Sequence, residues 1–174
     1  TGTQVIVARR FGAGRYADCG RTFDHGVILA LVTGAGMTLL AVFGLAPLLA
    51  AQIVDPVIRD ACTSYVVMRG LSYPLIAAFV VFGQYVATVR RPELELAAEV
   101  VANGLNLFLN WVLIFGNLGA PEMGAAGAGL ASTLARGGGV ILFFFLLKSR
   151  WLPAELQHLK FVGIDRALLG RIVD

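Results

Sequence analysis

The sequence predicts an all-α protein, a polytopic transmembrane helix bundle. Composition is the first reason. The chain has 174 residues, 57% of them hydrophobic and only 14% charged, with a mean hydropathy of +0.78. Soluble domains carry about 25% charged residues. Distribution is the second reason. Charged residues are gathered at intervals, and the apolar runs between them meet the length of about 20 residues that a membrane span requires. The placement of the basic residues is the third. If residues 1–11 end one span and four more follow, successive turns fall on alternate sides. Arg9, Arg10, Arg15, Arg21, Arg90, Arg91, Lys148, Arg150, Lys160, Arg166 and Arg171 then share one side, and Arg59 stands alone on the other. Such asymmetry orients the basic side toward the cytoplasm. A soluble bundle gives no reason for it.

Taken in order, residues 1–11 read as the end of a truncated transmembrane helix stopped by Arg9 and Arg10. Residues 12–25 read as a cytoplasmic loop, because Gly12, Gly14 and Gly20 break helical pattern among charges. Four transmembrane helices are predicted over 26–147, at about 26–53, 61–89, 94–116 and 123–147. Gly26 to Val54 holds no charged residue, and Pro47 marks a kink or the end of regular helix in it. The second run follows the turn Asp55–Asp60 and is interrupted by Arg69 and Pro74. The third carries Glu95 and Glu99 at its entry, with Glu95 expected at the interface. Asn117 to Glu122 forms a turn, and Pro121 and Glu122 suit a helix start. Gly137, Gly138 and Gly139 thin the middle of the fourth run. Lys148, Arg150 and Trp151 mark an interface, and 148–174 read as a cytoplasmic linker able to form an interfacial helix.

Chemistry is sparse. Cys19 and Cys62 lie at opposite ends of one apolar run, so no disulfide is expected, and no spacing suggests a metal. Gly12-Ala13-Gly14-Arg15 lacks the features of a phosphate loop. No Ser/His/Asp or Cys/His set argues for an enzyme. His25 and His158 read as surface histidines at membrane edges.

The informative residues are polar groups inside the runs. Asn103, Asn106 and Asn110 recur at three- and four-residue spacing, so they share one face of the third run. An amide in hydrocarbon must find partners. The asparagines therefore either bond neighbouring helices together or line a wet cavity. Ser132 and Thr133 on the fourth run face them across an antiparallel hairpin at similar depth, although hydroxyls in helices often bond their own backbone. Arg136 sits near the middle of the fourth run, where an exposed charge costs about 2.5–3.5 kcal/mol. Glu99 is its nearest acid by depth. The two form either a buried pair or part of a coupling network. Arg69 reads as a snorkelling or interhelical residue. Gly124, Gly127 and Gly129 make a smooth face that lets helices approach closely.

These residues resemble the multidrug and toxic compound extrusion family. QVIVARRFGAGR, Gln4 to Arg15, is similar to the end of the family's second helix and its following loop. LNLFLNWVLIFGNLGAPEMGAAGAGLA, Leu105 to Ala131, is similar to its fifth helix, outer turn and sixth helix. The resemblance implies a partial N-terminal six-helix lobe, from the end of helix 2 through helix 6. It implies an inner (plasma) membrane antiporter that exports cationic or amphipathic drugs in exchange for Na+ or H+ by alternating access, with no other cofactor. Asn106 and Asn110 fall on the family's fifth-helix polar positions, some members having aspartate where Asn110 stands. An amide cannot titrate there, though it can ligate a cation. Ser132 falls on a sixth-helix hydroxyl position. The implied ion or substrate cavity thus comprises Asn103, Asn106, Asn110, Ser132 and Thr133, with Arg136 and Glu99 as a coupling network. The family's first-helix acid precedes this stretch, so the fragment alone is not expected to transport. The implied partners are membrane lipids, the small-molecule substrate and the remainder of the same chain, with no nucleic acid. A lipid-linked sugar flippase of similar layout would line its cavity with several arginines. A non-transporting membrane scaffold would use the asparagines and glycines for packing alone.

Overall fold

The computed structural model describes residues 2–148. The predicted linker beyond Lys148 lies outside the described residues. Among the described residues, all regular structure is helical. Helix α1 spans Gly2–Gly12 and α2 spans Tyr16–Leu39. The loop expected over 12–25 is therefore confined to 13–15. Its polar residues signalled a turn because their partners lie in the neighbouring helix. Arg10 on α1 donates to the Thr22 hydroxyl and the Asp18 carbonyl of α2. His25, expected at the surface, is only 3% exposed. It lies inside α2, with Nδ1 2.7 Å from the Arg21 carbonyl oxygen.

Past α2 the chain continues through a π-helical turn, Leu40–Leu45, into α3, Ala46–Gln52. The Ala46 N–H reaches back to the Ala41 carbonyl in the wider π spacing. Pro47 then falls in the first turn of α3, where a missing N–H is tolerated. The expected kink is thus a change of helical winding.

The second predicted span is two helices. Helix α4 spans Pro56–Gly70, and Asp55 caps it by accepting from the Val57 and Ile58 N–H groups at 2.8 and 3.2 Å. Helix α5 spans Tyr73–Thr88, bent by 42° from α4 at a break over Leu71 and Ser72. Pro74 explains the break. It has no N–H for the carbonyl four residues back, that of Gly70. Thr38 of α2 supplies the missing donor, bonding the Gly70 carbonyl at 2.7 Å. Ser72, fully buried, bonds the Arg69 carbonyl at 2.6 Å. The backbone groups freed by the bend are thereby satisfied inside the protein, as an apolar surrounding demands.

Helix α6 spans Pro92–Phe115 and ends on Gly116, whose φ of 70° is the left-handed conformation of a helix C-cap. A 3-10 turn, Asn117–Gly119, leads to α7, Gly124–Lys148, which runs unbroken through its glycine triplet. Among the described residues, three continuous helical stretches are long and apolar enough to cross a membrane, and the bent α4–α5 pair would make a fourth. Leu107, Phe115, Phe43 and Phe145 are exposed on the outer faces.

Helix α7 packs against α6, α4 and α5, and α2 packs against α5. The aromatic core gathers at the basic end. Phe23 lies 4.5 Å from Tyr85 and Phe79 lies 4.9 Å from Phe143, centroid to centroid. At the other end the helices meet through backbone. A Cβ on Gly127 would stand 2.5 Å from the Leu113 carbonyl oxygen, and one on Gly129 would stand 2.8 Å from Met68 Cβ.

The Gly70–Thr38 bond can be tested directly. Thr38→Val keeps shape but leaves the Gly70 carbonyl without its donor, so a loss of about 1–3 kcal/mol is expected. Thr33 bonds only its own helix, at the Leu29 and Ala30 carbonyls. Thr33→Val should cost less than about 0.5 kcal/mol. Thermal unfolding of the two variants in detergent compares them, and equal midpoints would refute the account of the bend.

Candidate functional site

Helices α6 and α7 run antiparallel, joined by the short outer turn, so residue pairs from the two helices match in ladder order. The Gly127 contact with Leu113 holds the helices close at the turn end. One step further in, the Asn106 amide donates to Ser132 Oγ at 3.2 Å. Further still, Arg136 Nη1 donates to Glu99 Oε2 at 3.1 Å. Glu99, Asn103, Asn106 and Asn110 recur along α6 at the three- and four-residue spacing of one face.

The hydrogen bonds form a directed chain. Asn110 donates to the Asn106 carbonyl oxygen at 3.1 Å, Asn106 donates to Ser132, and Ser132 donates to the Ala128 carbonyl at 3.1 Å. The carbonyl oxygen of Asn110 is buried and has no hydrogen-bond partner among the described residues. A bare amide oxygen in an apolar bundle is a natural ligand for a hard cation or for a donor on a solute. Among the described residues, no group of His, Cys, Asp and Glu is placed to hold a metal ion.

Beside this chain lies a polar recess of about 110 Å³, lined by Arg69 of α4, by Ala102, Asn103 and Asn106 of α6, and by Ser132, Ala135 and Arg136 of α7. The structure thus brings Asn103, Asn106, Ser132 and Arg136 to one cavity. Asn110 joins it through Asn106. Thr133 turns the other way and bonds the Met68 carbonyl of α4 at 2.8 Å, along with the Gly129 carbonyl of its own helix at 3.1 Å. Arg136 also lies 4.8 Å over the Phe79 ring, a cation–π contact that helps hold the guanidinium between helices.

Arg69 is the residue that sequence reasoning left out of the cavity. It was legible as a charge inside an apolar run. Its place beside Asn106 depends on the α4–α7 packing, which no local spacing reveals.

Against known proteins, the MatE family model matches residues 1–112. The chain belongs to the MatE family. Its relatives agree. It is 36% identical over 136 residues to a probable multidrug resistance protein NorM of Caulobacter vibrioides, covering 78% of this chain and 29% of that protein. It is 32% identical over 137 residues to the protein of the same name from Mesorhizobium japonicum, covering 76% of this chain and 29% of that one. The chain therefore spans less than a third of these relatives' length. The inward-facing structure of a multidrug resistance MATE family transporter of the MOP superfamily superimposes with a TM-score of 0.82 at 20% identity, covering 99% of this chain and 38% of that one. The helical arrangement of this MatE chain is thus a fold found in a solved transporter.

The bond between Asn106 and Ser132 is open to a double-mutant cycle. Asn106→Ala and Ser132→Ala should couple by about 0.6 kcal/mol, the average for such bonds in membranes. Asn106→Ala and Thr133→Ala should be additive, because Thr133 bonds α4 instead. Unfolding in mixed micelles measures both, and coupling of equal size in the two cycles would contradict this geometry.

Proposed function

We propose that this chain forms one helical lobe of an ion-coupled multidrug antiporter, which exports amphipathic drugs and organic cations by alternating access with Na+ or H+ as the counter-ion. The lobe sits in the inner (plasma) membrane, with the ends bearing Arg9–Arg15, Arg90–Arg91 and Lys148 toward the cytoplasm. Membership of the MatE family and the multidrug resistance relatives support export as the activity.

One observation carries the reading. In a bundle built almost wholly of apolar helices, the amide–hydroxyl chain Asn110–Asn106–Ser132 runs along a polar recess and leaves one acceptor unused among the described residues. A site that exchanges solutes keeps it available. Ligation rather than titration is the role of Asn110, because its amide does not ionise in the physiological range.

The test is the double substitution Asn106→Leu with Asn110→Leu, expressed as the complete reading frame. Efflux of a fluorescent drug from cells, and the resistance that accompanies it, should fall to background while membrane expression stays normal. Unchanged resistance would sink the proposal in favour of a packing role for both amides.

A further inference from the structure

The recess has an unexpected electrostatic character. Two of its lining residues are arginines, Arg69 and Arg136. Glu99 engages Arg136 through one oxygen at 3.1 Å. A guanidinium carries five N–H donors, so that single bond leaves others free. Arg69 has no side-chain hydrogen bond or ion pair among the described residues. The remaining polar wall is made of amides and a hydroxyl, and among the described residues Glu99 is the one acid paired with a lining residue. Among the described residues the recess therefore carries an excess of positive charge, in surroundings where charge is poorly screened.

Size narrows what it admits. At about 110 Å³ the recess falls well short of the roughly 300–1,000 Å³ that a drug-sized molecule occupies. It has room for a small terminal group together with one or two waters, each taking about 30 Å³. A planar acid suits this setting, since guanidinium and carboxylate pair through parallel N–H···O bonds.

We infer that the Arg69–Arg136 recess is an anion subsite that binds the carboxylate of an amphipathic substrate, so that the lobe favours zwitterionic and acidic amphiphiles over purely cationic ones. The inference rests on the transporter reading and narrows its substrate class. Asn103 supplies an amide donor beside the acid. Glu99 restrains the site by occupying Arg136. The apolar body of the substrate stays outside the recess, between the helices.

Two rhodamine dyes that differ by one methyl ester provide the test. Rhodamine 110 has a free carboxylate and rhodamine 123 is its methyl ester. Binding is followed by fluorescence anisotropy with the protein, expressed as its complete reading frame, in phosphatidylcholine nanodiscs. The acid should bind about tenfold tighter than the ester. Arg69→Gln should abolish the difference and Arg69→Lys should keep part of it. Glu99→Gln should widen it, because Arg136 is released, and a merely structural Glu99 would not do so. Adding phosphatidylglycerol separates two sources of the anion: if it displaces the acid competitively, the site also accepts a lipid headgroup. Equal affinity for both dyes in the unaltered protein overturns the inference while leaving the transporter reading intact. Failure to bind either dye overturns the inference, while the transporter reading stands or falls on the efflux test of Asn106 and Asn110. If Arg69→Gln does not fold, the acid–ester comparison in the unaltered protein and in Glu99→Gln still decides.

Discussion

The close approach of α7 to its neighbours is the constraint on which the lobe depends. Gly127 lies on the Leu113 carbonyl and Gly129 lies on Met68, at separations that admit no Cβ. Lipid gives no hydrophobic drive for helices to associate, so contact area and short polar bonds must hold them. The glycines supply both. They bring α6 near enough for a 3.2 Å bond between Asn106 and Ser132, and they bring α4 near enough for Thr133 to reach the Met68 carbonyl. A recess lined by three helices follows, because side chains must point into whatever space the touching backbones leave.

The second constraint is that no backbone polar group can be left open to hydrocarbon. It explains features that look irregular. The bend between α4 and α5 exists because Pro74 withholds a donor, and it is tolerated because Thr38 provides one. The π turn before Pro47 handles a similar problem within a single helix by widening its own bonding. One proline is accommodated by a neighbour and the other by local rewinding. Only the first fixes the relation of two helices, so α2 and the α4–α5 break are bound together.

Much of this was legible in the chain itself. Long gaps between charges mark spans because lipid excludes charge, and the α6–α7 hairpin has so short a turn that its register is nearly forced. Glu99 with Arg136 follows from that register, as does an asparagine face opposite Ser132; that Asn106 is the asparagine bonded to it is seen only in the structure. What escaped depends on contacts distant in sequence. Residues 16–25 look like a loop because glycines and charges usually mean one, yet Arg10 bonds that segment from α1 and Phe82 and Tyr85 of α5 pack on its Phe23, so it is helical, and His25 is buried within it. The α4–α5 break shows in sequence only as Pro74, whereas its rescue by Thr38 lies across the bundle. Arg69 was visible as an anomaly, but its orientation toward Asn106 required the α4–α7 contact.

The lobe is unequal along its length, and the inequality suits a transporter. At the basic end, Phe23, Phe79, Phe82, Tyr85 and Phe143 pack ring against ring. Toward the outer turn, small residues replace the rings, and amides, hydroxyls and guanidinium groups occupy the space. Aromatic packing resists deformation because a core filled to crystal-like density has few alternative arrangements. Polar side chains around a recess can exchange partners with a solute at little cost, since one hydrogen bond replaces another. The lobe therefore pairs a firm aromatic base with a polar region whose side chains have alternative partners. Arg136 stands at the boundary, with Phe79 on the aromatic side and Glu99 at its guanidinium.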